Sequence, residues 1–226
     1  MSEKEMDTSL VHFGIPIHYD PTAAFMASVM QLPERFPGSR IDMHVGDSHP
    51  DRARNSIVDK FLDSERQWLF FLDADLRFSP DDMLKLWQRD LPVICGFYAR
   101  KQIGPAAWVA NRLNDNTRDD GLYELREAGT GCMCIHRSVI EAIIAAHPEC
   151  QYSRDPLGDK LQHAVFRSGV RWDPLVCRRR WLSEDWWFCW DVAECGFQIF
   201  GDPNTILLHE GRAFFPIPEN AEAPKE

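Results

Sequence analysis

The 226-residue sequence has no apolar run near the roughly 18 to 20 residues that a bilayer crossing needs, which excludes a helical membrane span. It lacks a basic-then-apolar leader: Met1-Ser2-Glu3-Lys4-Glu5 is polar and acidic, unlike a secretory signal. Positive charge is in deficit. Lys and Arg number 25 against 35 Asp and Glu, a net charge of -10, so nothing global attracts a polyanion and only a local basic patch can do so. Seven cysteines, an odd number without small-scaffold spacing, read as free thiols of a reducing compartment rather than a disulfide framework. There is no internal repeat and no low-complexity tract. The expectation is one cytoplasmic domain over residues 1–226. Its 44% hydrophobic residues and eight Trp are enough for a sizeable core.

Strand and helix patterns alternate through the first half. Val11–Ile17 reads as a strand, 22–32 as a helix, 41–45 as a strand, 52–64 as a helix, and Trp68–Leu72 as a fully buried strand. Ser79-Pro80-Asp81-Asp82 is a helix start, and 92–98 is the next strand. This alternation predicts a doubly wound, mostly parallel sheet. The second half is less regular. Short strands are expected at 106–110, 122–125, 132–136, 197–200 and 205–208. A capping box, Ser138 to Glu141, opens a helix to about 147, and Ser183 opens another ending near Gly196. Residues 151–182 show no period and are expected to be a long mobile loop. Residues 1–10 and 217–226 read as frayed ends.

Chemistry concentrates where the buried strand ends, at Leu72-Asp73-Ala74-Asp75. In extended backbone two carboxylates at i and i+2 share a face. The carboxyl end of a strand is where open α/β sheets hold ligands, and hard oxygen donors suit Mg²⁺ or Mn²⁺. The same residues also serve as an ordinary solvated turn. On the helix after Arg52, Arg54 and Asn55 continue the apolar stripe of Ile57, Val58, Phe61 and Leu62, so the stripe starts polar. That pattern fits an anion or nucleotide contact at a helix N-terminus, and equally a structural Arg–Asp pair beside a turn Asn. Asp185 shares a stripe with Phe188, Cys189 and Val192, which points an acid inward. Trp186, Trp187 and Trp190 crowd the same helix as sugar-facing aromatics or as core. His209 closes a short strand as a metal ligand or a structural histidine. Cys132, Cys134 and His136 alternate on one strand and read as buried thiols rather than a zinc site.

Arg52-Ala53-Arg54-Asn55, the segment Leu69–Asp75 and Pro80, Gly129-Thr130-Gly131-Cys132-Met133, Ser183–Cys189 with Gly196, and Leu208-His209-Glu210-Gly211 follow one another over about residues 11–215. In that order they resemble GT-A glycosyltransferases, with family 2-type enzymes and fungal mannan polymerase I-type (Anp1-like) mannosyltransferases as the nearest likenesses. The resemblance implies a GT-A α/β fold: a nucleotide-sugar-binding half at about 11–100 and an acceptor half, with a smaller antiparallel portion, at about 101–215. It implies Asp73, Asp75 and His209 as ligands of Mn²⁺ or Mg²⁺. Pro16, Arg54, Asn55, Asp73, Ala74 and Gly131 would contact the donor, a UDP-sugar or, second, a GDP-sugar. Asp185 would be the base of an inverting transfer, with Glu184, Trp186 and Trp187 on the acceptor side. The chain departs from membrane polysaccharide synthases, whose transmembrane helices and Q-x-x-R-W signature are missing, and from the anchored fungal enzymes.

Other readings compete. A nucleotidyltransferase or a non-catalytic sugar- or partner-binding protein would use the same fold. A haloacid-dehalogenase-type phosphatase wants Thr or Val where Arg77 stands. The acceptor is open between a saccharide, lipid or protein hydroxyl and a nucleic acid, such as a hydroxymethylated base of viral DNA. The nucleic-acid option rests on Arg171, Trp172, Arg178, Arg179, Arg180 and Trp181, since cations flanked by Trp can hold phosphate and stack bases.

Overall fold

The computed structural model describes residues 6–102, 105, 107–153 and 160–211. In chain order the elements are β1 (Val11–Ile17), α1 (Ala23–Val29), α2 (Leu32–Arg35), β2 (Arg40–Val45), α3 (Pro50–Leu62), β3 (Trp68–Leu72), β4 (Leu76–Arg77), α4 (Pro80–Trp87) and β5 (Val93–Phe97). The second half adds β6 (Ala110–Thr117), β7 (Tyr123–Ala128), β8 (Cys132–His136), α5 (Arg137–Ala146), β9 (Gln151–Ser153), β10 (Leu161–His163), β11 (Gly169–Asp173), β12 (Arg178–Leu182), α6 (Glu184–Glu194), β13 (Ile199–Ile206) and β14 (Leu208–His209).

Eight strands form the central sheet in the order β2-β1-β3-β8-β5-β13-β7-β6. β2, β1 and β3 pair in parallel, as do β5 and β13, while β8 is antiparallel to both β3 and β5. The mostly parallel sheet expected from the alternation is present, with the antiparallel β6–β7 pair at the far edge. Side-chain alternation divides the core into two layers. Phe13, Ile15, Trp68, Phe70 and Leu72 pack toward Phe25, Leu32, Met83 and Trp87 of α1, α2 and α4. Leu69, Phe71, Met133 and Ile135 pack toward Ile57, Phe61, Ile140 and Phe188 of α3, α5 and α6. Gly14 lets α3 lie directly on β1: a Cβ there would stand 2.4 Å from Ile57 Cγ2.

Several boundaries differ from the sequence reading. The helix expected over 22–32 is two helices. The strand expected at 106–110 is displaced: residue 106 lies outside the described residues, Trp108 makes an isolated bridge to Ala99, and β6 begins at Ala110 to form a hairpin with β7, while residues 197–208 carry β13 rather than two strands of four. The Ser138 capping box does not form, because His136 is the N-cap and its Nδ1 accepts from Ser138 N–H. Residues 8–10, read as a frayed end, make a 3-10 turn capped by Asp7. Residues 1–5 and 217–226 lie outside the described residues.

The largest correction concerns residues 151–182. They form two hairpins, β9–β10 and β11–β12, with residues 154–159 outside the described residues. What holds the second hairpin is charge and aromatic contact rather than apolar alternation. Asp173, fully buried, accepts from Arg126 at 2.6 Å and Arg180 at 2.7 Å. Arg171 lies over the Trp187 and Trp190 rings. A hydropathy period cannot register strands built this way.

Candidate active site

Parallel strands point their carboxyl ends to one edge of a sheet, and β8, being antiparallel, brings its amino end to the same edge. Residues from all of these ends line a cleft of about 730 Å³. Pro16, His18 and Tyr19 come from the end of β1, and Asp47 and Ser48 from the end of β2. Asp73, Ala74 and Asp75 follow β3, Tyr98, Arg100 and Lys101 follow β5, and Thr130 precedes β8. Ser183, Glu184, Asp185 and Trp186 open α6, and His209 lies in β14. A cleft at the carboxyl ends of an open sheet is the usual ligand position of such folds.

The two acids after β3 turn to different partners. Asp73 Oδ1 accepts from Arg54 at 2.9 Å, and its backbone N–H is tied to Gly131 O at 2.9 Å. Arg54 is buried, its Nε lies 3.6 Å from Glu184 Oε1, and Nε and Nη1 have no hydrogen-bond partner. Burial works against its charge, but Asp73 and Glu184 outweigh that and hold it firmly protonated. Asp75 faces Lys101 and His209. Burial pushes the Asp75 carboxyl up, yet His209 and Lys101 prevail and keep it below its ordinary value.

His209 Nδ1 stands 2.7 Å from Ala99 O, which can only accept, so Nδ1 carries a proton; in the neutral ring Nε2 would then offer its lone pair. Nε2 is 3.3 Å from Asp75 Oδ1, a buried oxygen that no hydrogen bond reaches. A carboxylate oxygen and an imidazole lone pair facing each other form a donor set that a divalent cation satisfies. The residues present therefore fit a metal at Asp75 and His209. Asp73 Oδ1 is held by Arg54. Among the described residues, the places where three His, Cys, Asp or Glu ligand atoms lie within 4.8 Å are elsewhere, around His147 with Glu149 and Cys150 and with Asp191 and Glu194. Asp191 there is already held by Arg167 and Arg171.

On the opposite end of the chain segment, α6 begins with two acids. Asp185 Oδ1 accepts from Ser183 O–H and, at 2.8 Å, from Trp186 N–H. Burial raises the Asp185 carboxyl above its ordinary value against the pull of Ser183, Trp186 N–H and Arg54. Glu184 is raised by burial too, with Asp185 adding to it. Two neighbouring carboxyls whose affinity for protons is lifted suit proton acceptance from a hydroxyl near neutral pH.

Of the residues singled out in the sequence, Pro16, Arg54, Asp73, Ala74, Asp75, Glu184, Asp185, Trp186 and His209 line this one cleft. Asn55 does not reach it. Its amide donates to Phe166 O and accepts from Phe166 N–H, both at 2.8 Å, so it clamps the segment before β11 to α3. Trp187 turns to the β11–β12 hairpin, against Gly169, Arg167 and Arg171. Gly131 acts by absence, since a Cβ would meet Asp73 Oδ2 and the Tyr98 hydroxyl at 2.6 Å each. Cys132 and Cys134 are buried free thiols.

Tyr98 was not legible in the sequence. Its hydroxyl accepts from Gly131 N–H at 2.9 Å, and its ring meets His209 edge-on. Burial, with Asp73 and Asp185 nearby, holds the phenol well above its ordinary value. The available signal was position: Tyr98-Ala99-Arg100-Lys101 directly follows a fully buried strand, as Asp73–Asp75 does.

No family model and no curated protein matches the sequence. Among solved structures the chain is similar to A197 from STIV (TM-score 0.55, 14% identity, 96% of this chain and 98% of that one). It is also similar to GalNAc-T7 crystallised with UDP, GalNAc and Mn²⁺ (TM-score 0.56, 12% identity, 95% of this chain). This chain spans 46% of the GalNAc-T7 chain. With the mixed α/β sheet and its strand-end cleft, these likenesses establish the fold as GT-A.

Proposed function

We propose that the protein is a metal-dependent glycosyltransferase that moves a sugar from a nucleoside-diphosphate sugar, a UDP-sugar first, to an acceptor hydroxyl. The observation that carries this is the convergence of the Asp75–His209 donor pair and the proton-accepting Asp185 on one cleft. The similarity to GalNAc-T7 with UDP, GalNAc and Mn²⁺ supports the choice of donor and metal.

In this reading Asp75 and His209 hold Mn²⁺, or Mg²⁺, which when bound neutralises the leaving diphosphate as a Lewis acid. Arg54, buried and positively charged, fixes the Asp73 carboxylate at the cleft floor. Pro16, Ala74 and the backbone kept open by Gly131 bound the donor. Asp185 takes the proton of the acceptor hydroxyl as that oxygen bonds to the anomeric carbon from the face opposite the nucleoside diphosphate, whose bond to that carbon breaks, and this single displacement inverts the centre. Ser183 O–H and Trp186 N–H hold its Oδ1 in place for that step.

The test is nucleotide release from UDP-, GDP- and CMP-sugars with Mn²⁺ or Mg²⁺, with Asp75→Ala beside the parent. Metal-dependent release that disappears in the variant supports the reading and names the donor. Release that persists unchanged in Asp75→Ala, or tight nucleotide-sugar binding with no turnover on any acceptor, overturns it in favour of a binding protein on the same fold.

A further inference from the structure

The β11–β12 hairpin has two unlike faces. Its register pairs Gly169 with Leu182, Val170 with Trp181, Arg171 with Arg180, and Trp172 with Arg179. Strand alternation puts Arg171, Asp173, Arg180 and Leu182 on the inner face. There each arginine is spoken for. Arg171 pairs with Asp191 and Glu194, and Arg180 with Glu127 and Asp173. Arg180 also lies over the Trp186 ring that lines the cleft.

The outer face carries Val170, Trp172, Arg179 and Trp181. Trp172 is 58% exposed and Trp181 68%. They sit at diagonal positions on neighbouring strands, where Cβ atoms are about 7 Å apart. Arg179 lies directly opposite Trp172 on this face, while Arg178, the register partner of Asp173, is exposed at the hairpin tip on the other side of the pleat. Among the described residues neither arginine has an acidic partner in an ion pair. Two exposed indoles beside cations that lack carboxylates complement a ligand that is both planar and anionic. A sheet face with aromatics on adjacent strands is how single-stranded nucleic acid is gripped, bases stacking on rings and phosphates meeting cations. A neutral saccharide would use the rings and leave the arginines without a role.

We infer that the outer face of the β11–β12 hairpin is a docking platform for a single-stranded polynucleotide that brings the acceptor hydroxyl to the cleft. β12 runs straight into the catalytic segment: Trp181 is four residues from Asp185, within about 14 Å of chain. The naming of the strand as acceptor rests on the glycosyltransferase reading; the platform itself does not. The patch is narrower than the sequence suggested, since Arg171 and Arg180 belong to the inner face.

The experiment is fluorescence anisotropy of a labelled 12-nucleotide oligothymidylate with the full chain at low salt. The platform predicts binding that weakens with added salt. Trp172→Ala/Trp181→Ala should bind about tenfold or more weakly. Arg179→Gln should weaken binding and flatten the salt slope by about 0.7. Arg77→Gln, on an exposed arginine outside the hairpin, serves as a control and should bind as the parent does. No binding by the parent, equal binding by the double Trp variant, or displacement of the oligonucleotide by a neutral oligosaccharide overturns the platform. Equal affinity for a duplex of the same length also overturns it, because paired bases cannot stack on the rings. UDP binding with Mn²⁺ is measured on the same proteins. If it is intact while the oligonucleotide fails to bind, the platform falls and the cleft reading stands. Oligonucleotide binding without UDP binding supports the platform and removes the cleft reading.

Discussion

The edge of the sheet that carries Asp73 and the hairpin that leads into Asp185 are built in contrasting ways. The first rests on buried apolar strands: every residue of β3 is buried, and α3 lies so close to β1 that only Gly14 fits. The second rests on charge. Glu127, Asp173 and Asp191 are buried and are held by Arg126, Arg167, Arg171 and Arg180, which cover the Trp faces of α6. One half of the cleft is thus set by packing and the other by paired ions. A bilayered core tolerates little change in volume, whereas an ion-pair lattice tolerates little change in charge.

Four substitutions or titrations sharpen that contrast. Glu127→Ala should have the largest effect. It strips Trp190 and Asn111 of an acceptor and leaves Arg180 with Asp173 alone, so one of its two buried carboxylate partners is lost, at a cost of about 3 kcal/mol. Chemical denaturation measures it, and Glu127→Gln should recover part of the loss. If Glu127→Ala is neutral, the second half is not held by charge.

Acid should next loosen the apolar half first. His12 is fully buried in β1, and burial, then Arg40, lowers its pKa to about 4 from the ordinary 6.5. Its folded pKa lies below its unfolded one, so the unfolded chain binds the proton first. Stability should fall by on the order of 3 kcal/mol between about pH 6.5 and pH 4 and then level off for this group. Asp173, lowered to about 2 by Arg180 and Arg126 against its burial, holds the hairpin until a more acid range. Its contribution is present above the ordinary 3.8 and is lost as pH falls toward 2. Denaturation midpoints against pH for the parent and His12→Phe check the order. A variant that keeps the same loss above pH 4 would assign it to another group.

Gly14→Ala should cost about 1 to 3 kcal/mol, because the new Cβ would press on Ile57, with Phe71 and Leu69 close behind. Paired with Ile57→Val it should recover some of that loss, read as a shift in melting temperature. The smallest effect belongs to the cleft. Ser183 O–H lowers the Asp185 carboxyl, so Ser183→Ala should move the acid limb of the kcat/KM profile to higher pH. A limb that stays in place would mean that another group accepts the proton.

The same contrast explains what was legible in sequence. β1 and β3 were readable to the residue, since β3 is apolar throughout, β1 is apolar apart from His12, and polar residues bound both. Asp73 and Asp75 at a strand end and Asp185 turned inward were legible from the residues, and that they share one cleft was implied by the resemblance. The β11–β12 hairpin was not readable, because its strands are registered by Arg–Asp pairs and Trp–Arg stacking that have no period. Nor could sequence separate Arg54, which reaches the cleft, from its neighbour Asn55, which binds Phe166. Both extend one apolar stripe, and only the partner 111 residues away decides where the amide turns.

The central claim is that Asp75 and His209 hold a cation for a nucleoside diphosphate, and titration calorimetry of UDP tests it most directly. The account predicts that UDP binds the parent with Mn²⁺ present, binds much more weakly without it, and loses the metal-dependent part in Asp75→Ala and His209→Ala. UDP affinity that is the same with and without Mn²⁺, or unchanged in both variants, would contradict it.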